Sequence, residues 1–234
     1  MNWILCIDTT TENCSVALTK NGTLFAEKEQ KEGLQHAGLL TLFIEEILQE
    51  SSVSMTELAA IAVSDGPGSY TGLRIGAATA KGLCYSLDIP LIAVDTLRAM
   101  AFVAIEKYGH KYEDFYCVPM MDARRMEVYA SVYDNKLDEL EVKHAKIIEG
   151  DSFESYLSQK KVLFFGNGSA KCTTILTHPN AVFFTDIYFS AVNLVSIAYQ
   201  HFIQNEFEDI AYYEPYYLKK YLPKHKTKKI FNRL

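Results

Sequence analysis

Along the first hundred positions, apolar residues fall into three short runs, a long amphipathic stretch and one fully apolar run. Residues 2–8, 14–19 and 23–30 read as strands, and Asn21-Gly22 predicts a hairpin turn between the second and third. From about 34 to 49 the apolar positions recur at helical spacing. Leu39, Phe43, Ile47, Leu40, Ile44 and Leu48 spread over roughly 180° of the helical wheel, wider than the ~100° stripe of a one-sided surface helix. Part of this helix is therefore expected to meet something beyond its own sheet. Ser54-Met-Thr-Glu57 is a capping box that opens a short turn. Leu58-Ala-Ala-Ile-Ala-Val-Ser64 carries no periodic polar residue and predicts a parallel strand buried on both faces. A helix over about 70–87, a strand over 91–94 behind Pro90, and a helix from the N-cap Asp95 to about 106 complete this half.

The second half repeats the scheme loosely. Residues 115–121 and 126–133 form a predicted strand pair around the charged turn Asp122-Ala-Arg-Arg125, with a further strand near 141–148. A short helix over 153–157 precedes the buried strand Val162-Leu-Phe-Phe165, which ends in Gly166-Asn-Gly-Ser169, and 193–204 is apolar at helical spacing. Each half thus has antiparallel strands first, then a parallel strand ending in a glycine turn. Two α/β lobes facing a cleft are expected: residues 1–97 with the partner-binding helices, 98–212 with its late helix packing back on the first lobe, and a basic tail over 213–234.

The segment Asp65-Gly-Pro-Gly-Ser-Tyr-Thr-Gly-Leu-Arg-Ile-Gly76 admits two uses. Its glycines force a tight strand-to-helix turn whose N–H groups can converge on an anion, at the strand end where α/β proteins usually bind ligands. On that reading Asp8, Thr10, Gly66, Gly68, Gly166 and Gly168 line a nucleotide cleft for ATP or ADP. The alternative for Asp8 and Thr10 is local turn chemistry, and for Gly166 and Gly168 a turn needing positive φ. Glu12, where a phosphate loop would prefer glycine, favours the turn. The second use is docking: Gly72, Gly76 and Ala80 make one bare stripe continued by Leu83, where another helix could approach closely. With Leu39, Leu40, Phe43 and Ile47 of the preceding helix they form the expected partner interface, two helices pairing with two others in a bundle. Ser69 lacks the flanks of a nucleophile elbow, so a hydrolase reading has no support.

Charge and cysteine content sharpen this picture. The net charge of −6 hides an asymmetry: residues 219–234 hold seven Lys or Arg and no acid, leaving 16 bases against 29 acids, a net −13, on residues 1–218. Lys224, Lys226, Lys228 and Lys229, around His225, are expected to attract tRNA or an acidic partner, with 213–218 anchoring them on the body. Five scattered cysteines without a C-x-x-C, no apolar run of ~20 residues and no basic leader predict a reduced, cytoplasmic protein with no membrane contact. His36, His110, His144, His178, His201 and His225 lie far apart, so no metal is expected.

Leu5-Cys-Ile-Asp-Thr-Thr-Thr-Glu-Asn-Cys-Ser-Val-Ala17, the glycine segment 65–76, Met121-Asp-Ala-Arg-Arg-Met-Glu-Val-Tyr129 and Gly166-Asn-Gly168 together resemble the bacterial TsaB (YeaZ-type) family. The resemblance implies an α/β, two-lobed actin/Hsp70/sugar-kinase-like fold with mixed sheets flanked by helices. It also implies a non-catalytic role in making N6-threonylcarbamoyladenosine at position 37 of tRNA. The implied partners are a TsaD-like catalytic subunit and a TsaE-like ATPase, tRNA through the complex, and a second copy of the chain when alone. In TsaD-like relatives the helix after a Pro-Leu-Ile-x-Val strand carries His-x-Glu-Gly-His; here those two histidine positions fall on Thr96 and Met100, poor ligands for a hard or borderline cation. The alternative is an ATP-dependent phosphotransferase or ATPase of the same superfamily, using Asp8, Thr10 and the two glycine turns.

Overall fold

A computed structural model describes residues 2–31 and 36–219. The basic positions Lys224, His225, Lys226, Lys228 and Lys229 therefore lie outside the described residues. Strands β1 (Trp3–Asp8), β2 (Cys14–Lys20) and β3 (Thr23–Gln30) pair antiparallel, and β4 (Leu58–Gly66) and β5 (Leu91–Asp95) add in parallel to give the order β3-β2-β1-β4-β5. The second sheet contains β6 (Phe115–Asp122), β7 (Glu127–Asp134), β8 (Glu139–Ile147), β9 (Lys161–Phe165) and β10 (Ala181–Phe183). Its order, β10-β9-β6-β7-β8, with β6–β7–β8 antiparallel and β6–β9–β10 parallel, is the first sheet's order read from the other edge. Two lobes with one shared topology are the fold expected of the actin/Hsp70/sugar-kinase-like class.

The repeat reaches the strand ends. Thr10 N donates to Asp8 Oδ1 at 2.8 Å after β1, and Arg124 N donates to Asp122 Oδ1 at 2.9 Å after β6. Short polar side chains mimic a backbone turn in this way, which is why an Asp ends each strand. The three-residue β10 was not legible as a strand: Ala181-Val-Phe183 is too short for any period to show.

Helices cover the first sheet on both faces, so β1 is buried at every position. On one face α1 (His36–Glu50) and α2 (Tyr70–Leu87) pack on Leu5, Ile7, Val16, Leu18, Ile61 and Val63. On the other, Ile4, Cys6, Ala17, Ala60 and Ala62 meet α5 (Val195–Gln204) through Ile197 and Ala198. Alanines on that face leave room for the late helix to sit close. Between the sheets runs α3 (Thr96–Tyr108): Ala99 joins the first lobe's core, while Leu97, Met100, Ala101 and Ala104 join the second's. A one-turn helix, α4 (Glu154–Leu157), helps cover the outer face of the second sheet.

The small-residue stripe of α2 faces inward. A Cβ on Gly72 would overlap the Thr9 carbonyl oxygen, and one on Gly76 would lie 2.6 Å from Thr9 Oγ1 and 3.4 Å from Val63. Thr9 Oγ1 donates to Gly72 O at 2.7 Å, and Ala80 is fully buried. These residues let α2 approach the β1–β2 loop of its own chain. Gly82, by contrast, has nothing within 4 Å of a Cβ position. Urea denaturation should therefore show Gly72→Ala losing about 2–3 kcal/mol through backbone displacement, while Gly82→Ala gains roughly 0.5–1 kcal/mol from helix propensity. Equal effects at the two sites would contradict this packing.

Candidate functional site

The cleft ends of β1, β4 and β5 gather the residues that sequence reasoning assigned to a nucleotide. Asp8, 2% exposed, accepts hydrogen bonds from Thr10 N at 2.8 Å and Thr10 Oγ1 at 2.7 Å, so its carboxylate is turned into its own loop. Ser69 N, one of the donors the glycine turn could offer to an anion, instead donates to Thr10 O at 2.7 Å. A Cβ on Gly68 would sit 2.8 Å from Thr10 Cβ, which is why glycine stands there. Deeper in α2, Gly72 N is capped by Ser69 Oγ at 3.3 Å and Leu73 N donates to Ser69 O at 2.8 Å. The turn has closed on a neighbouring loop.

Asp8, Thr10, Gly66 and Gly68 are thus brought together. Gly166 and Gly168 form the equivalent cluster of the second lobe. A Cβ on Gly166, at φ 93°, would overlap the Met120 carbonyl oxygen, and Gly168 N donates to Met120 O at 2.9 Å. Charge points the same way: Glu12 is exposed on the β1–β2 loop, and Asp65 stands beside Gly66. Burial raises the Asp65 carboxyl, opposed by the Lys143 charge and a 3.2 Å hydrogen bond from Tyr213 OH. Ser69 N, Gly72 N and Leu73 N are engaged within the chain, and the carboxylates Glu12 and Asp65 stand nearby, both of which disfavour a triphosphate.

The chain's own C-terminal segment also occupies this region. Tyr216 N donates to Asp65 O at 2.8 Å, and a Cβ on Gly66 would lie 2.7 Å from Tyr216 O. Tyr213 is buried, and Lys81 of α2 donates to Tyr213 O at 2.9 Å. Sequence reasoning placed 213–218 against the body but did not find the residues that receive it, Asp65, Lys81 and Lys143. A run of tyrosines around Pro215 is the one signal the sequence carried.

Thr96 and Met100 are likewise engaged within the chain. Gly66 N donates to Thr96 Oγ1 at 3.0 Å, and Asn193 Nδ2 donates to Met100 Sδ at 2.9 Å; both residues are 1% exposed. Among the described residues no group of three or more His, Cys, Asp or Glu could hold a metal ion. No helix among them is long and apolar enough to cross a membrane.

The expected docking residues divide. Leu40 and Ile47 are buried in the first core with Gly72, Gly76 and Ala80, so they are not surface. Leu39, Phe43 and Leu83 are half-buried and pack against the margin of that core. The wide apolar arc of α1 is largely consumed by its own sheet. What faces outward is a different set: Thr41, Leu42 and Glu45 of α1, and Ala78, Gly82 and Tyr85 of α2. Between the helices lies a cavity of about 450 Å³, with Ile44, Leu48, Met55, Thr79 and Leu83 among its lining residues.

A wider class is set by a family model: residues 30–229 match TsaD, described as tRNA N6-adenosine threonylcarbamoyltransferase. Individual relatives narrow it. The chain is 33% identical over 170 residues to the Bacillus subtilis tRNA threonylcarbamoyladenosine biosynthesis protein TsaB, covering 71% of this chain and 72% of that protein. Against the Escherichia coli (strain K12) protein of the same description the identity is 41% over 130 residues, 56% of this chain and 54% of that one. Of this second relative the chain spans about half the length. A solved Pseudomonas aeruginosa structure, described as similar to peptidase YeaZ, superposes with a TM-score of 0.81 at 26% identity, covering 94% of this chain and 100% of the other. This chain belongs to the TsaB family.

Calorimetry of the full chain with Mg-ATP is expected to give no micromolar binding. Micromolar binding abolished by Asp8→Ala would contradict the loop geometry described above.

Proposed function

We propose that this chain is a non-catalytic subunit in tRNA N6-threonylcarbamoyladenosine formation, supporting a TsaD-like catalytic partner through the outward faces of α1 and α2. The observation that carries the reading is the surface those helices leave over after covering their sheet. Leu42, Met55 and Tyr85 are large and exposed there, next to the bare backbone of Gly82. A neighbouring helix can approach closely at Gly82 and Ala78 while the larger side chains supply area that burial stabilises at ~25 cal/mol per Å². In the absence of that partner, a second copy of the chain takes the same surface.

The non-catalytic part of the reading is supported by where potential chemistry is spent. Asp8 holds its own loop, Thr96 receives Gly66 N, and Met100 packs in the second lobe's core. The phosphotransferase alternative gains no observation in its favour. A TsaE-like ATPase and tRNA join through the assembled complex.

Gly76→Leu would report on folding because Gly76 abuts Thr9, so docking is tested at Gly82. Gly82→Leu should leave the thermal unfolding midpoint at or above that of the parent chain and weaken association with the TsaD-like partner by about 10–100-fold, measured by surface plasmon resonance. A folded variant binding at parental affinity would place the interface elsewhere.

A further inference from the structure

The segment after α5 runs as a strap from one lobe to the other. It leaves the first sheet where Glu208 N donates to Leu91 O at 2.9 Å, and it is held on α2 by Lys81. At the cleft floor Tyr213 OH and Tyr216 N reach the side chain and backbone of Asp65, and Tyr217 meets Tyr70 with ring centroids 4.9 Å apart. The strap then reaches the second lobe. Lys143 of β8 lies 4.2 Å from the centre of the Tyr216 ring and pairs with Asp95 of β5, while Lys219 pairs with Glu127 of β7. Lys143 is thus a single cation from the second lobe held between a carboxylate and an aromatic ring of the first lobe and the strap. A cation over an aromatic face with a carboxylate at its other side is stabilised twice, more so when partly removed from water.

We propose that this strap is an interlobe latch, closed at Lys143, which holds the two lobes at one angle about α3. The geometry suits such a device. Helix α3 contributes to both cores and can serve as the hinge, and the strap lies across the cleft on the far side of the glycine turn's backbone. Closing the latch also fixes α2, since Lys81 binds the strap at Tyr213 O. The orientation of the helix with the outward docking face is thereby tied to the closure of the cleft. Release at Lys143 and Tyr216 leaves α3, the Arg98 contact to Leu137 O at 3.2 Å, the Lys219–Glu127 pair and the 2.8 Å hydrogen bond from Asn13 Nδ2 to Phe189 O, a residue of the second lobe's core, as further links between the lobes.

Pulsed electron resonance between spin labels on the full chain tests this. Ser86→Cys in α2 and Ser155→Cys in α4 provide one exposed label site on each lobe. All five native cysteines are buried, and burial raises every one of their thiols, so the labels go to the introduced sites. The expected result is one narrow distance distribution in the parent chain, broadened or shifted in Lys143→Met and in Tyr216→Ala. Exchange of the Tyr216 amide should rise by at least about tenfold in both. Tyr216 is 43% exposed, so its truncation does not threaten the core and decides the matter alone should Lys143→Met fail to fold. Lys143→Arg, which keeps the charge over the ring, should retain the narrow distribution. An unchanged distribution in folded Tyr216→Ala, or one in which Lys143→Arg is as broad as Lys143→Met, would overturn the latch.

Discussion

Much of this molecule follows from one close approach, that of the Thr9-Thr10 backbone to the start of α2. A carbonyl oxygen at Thr10 receives Ser69 N, and Gly68, Gly72 and Gly76 are the residues without which the two segments could not meet. The contact aligns α2 on the sheet and spends donors that an anion would need. It also decides which flank of α2 is left for solvent. The glycines that a ligand cradle would require also build this joint between the loop and α2.

The two lobes repeat this joint with different residues. In the second, Gly166 and Gly168 press on Met120 and Met121, and Asp122 turns its loop as Asp8 does in the first. Near-equal hydrogen-bond lengths in the two Asp turns show that each lobe solves the same problem of ending a central strand under a tight crossover. The lobes differ in their cover. Alanines at 17, 60 and 62 bring α5 close to the first sheet, while aromatic residues fill the second lobe, with the Phe153 and Phe164 rings 5.5 Å apart.

How much of this could be read in the sequence depends on the range of the interaction. Strands and helices with a clear period were legible, as was the repeat of antiparallel and then parallel strands. The direction of the α2 stripe was not. Gly72, Gly76 and Ala80 mark a face that something approaches, yet spacing alone does not say whether the approaching backbone belongs to this chain or another. Thr9, 63 residues earlier, is the answer, and nothing local points to it. The wide apolar arc of α1 was ambiguous for a similar reason: Leu39 and Phe43 pack against the margin of the chain's own core, whose extent no helical wheel contains. Lys143 and Tyr216 meet across the cleft from segments 73 residues apart, so their pairing was invisible until the lobes were assembled.

The account of function rests on which surface a TsaD-like partner covers. Hydrogen–deuterium exchange of the full chain, free and with that partner from the same organism, tests it most directly. Slowed exchange over His36–Glu50 and Tyr70–Leu87, with residues 8–10 and 65–69 unchanged, is the predicted result. Protection confined to those two loop segments, with both helices exchanging as in the free chain, would contradict it.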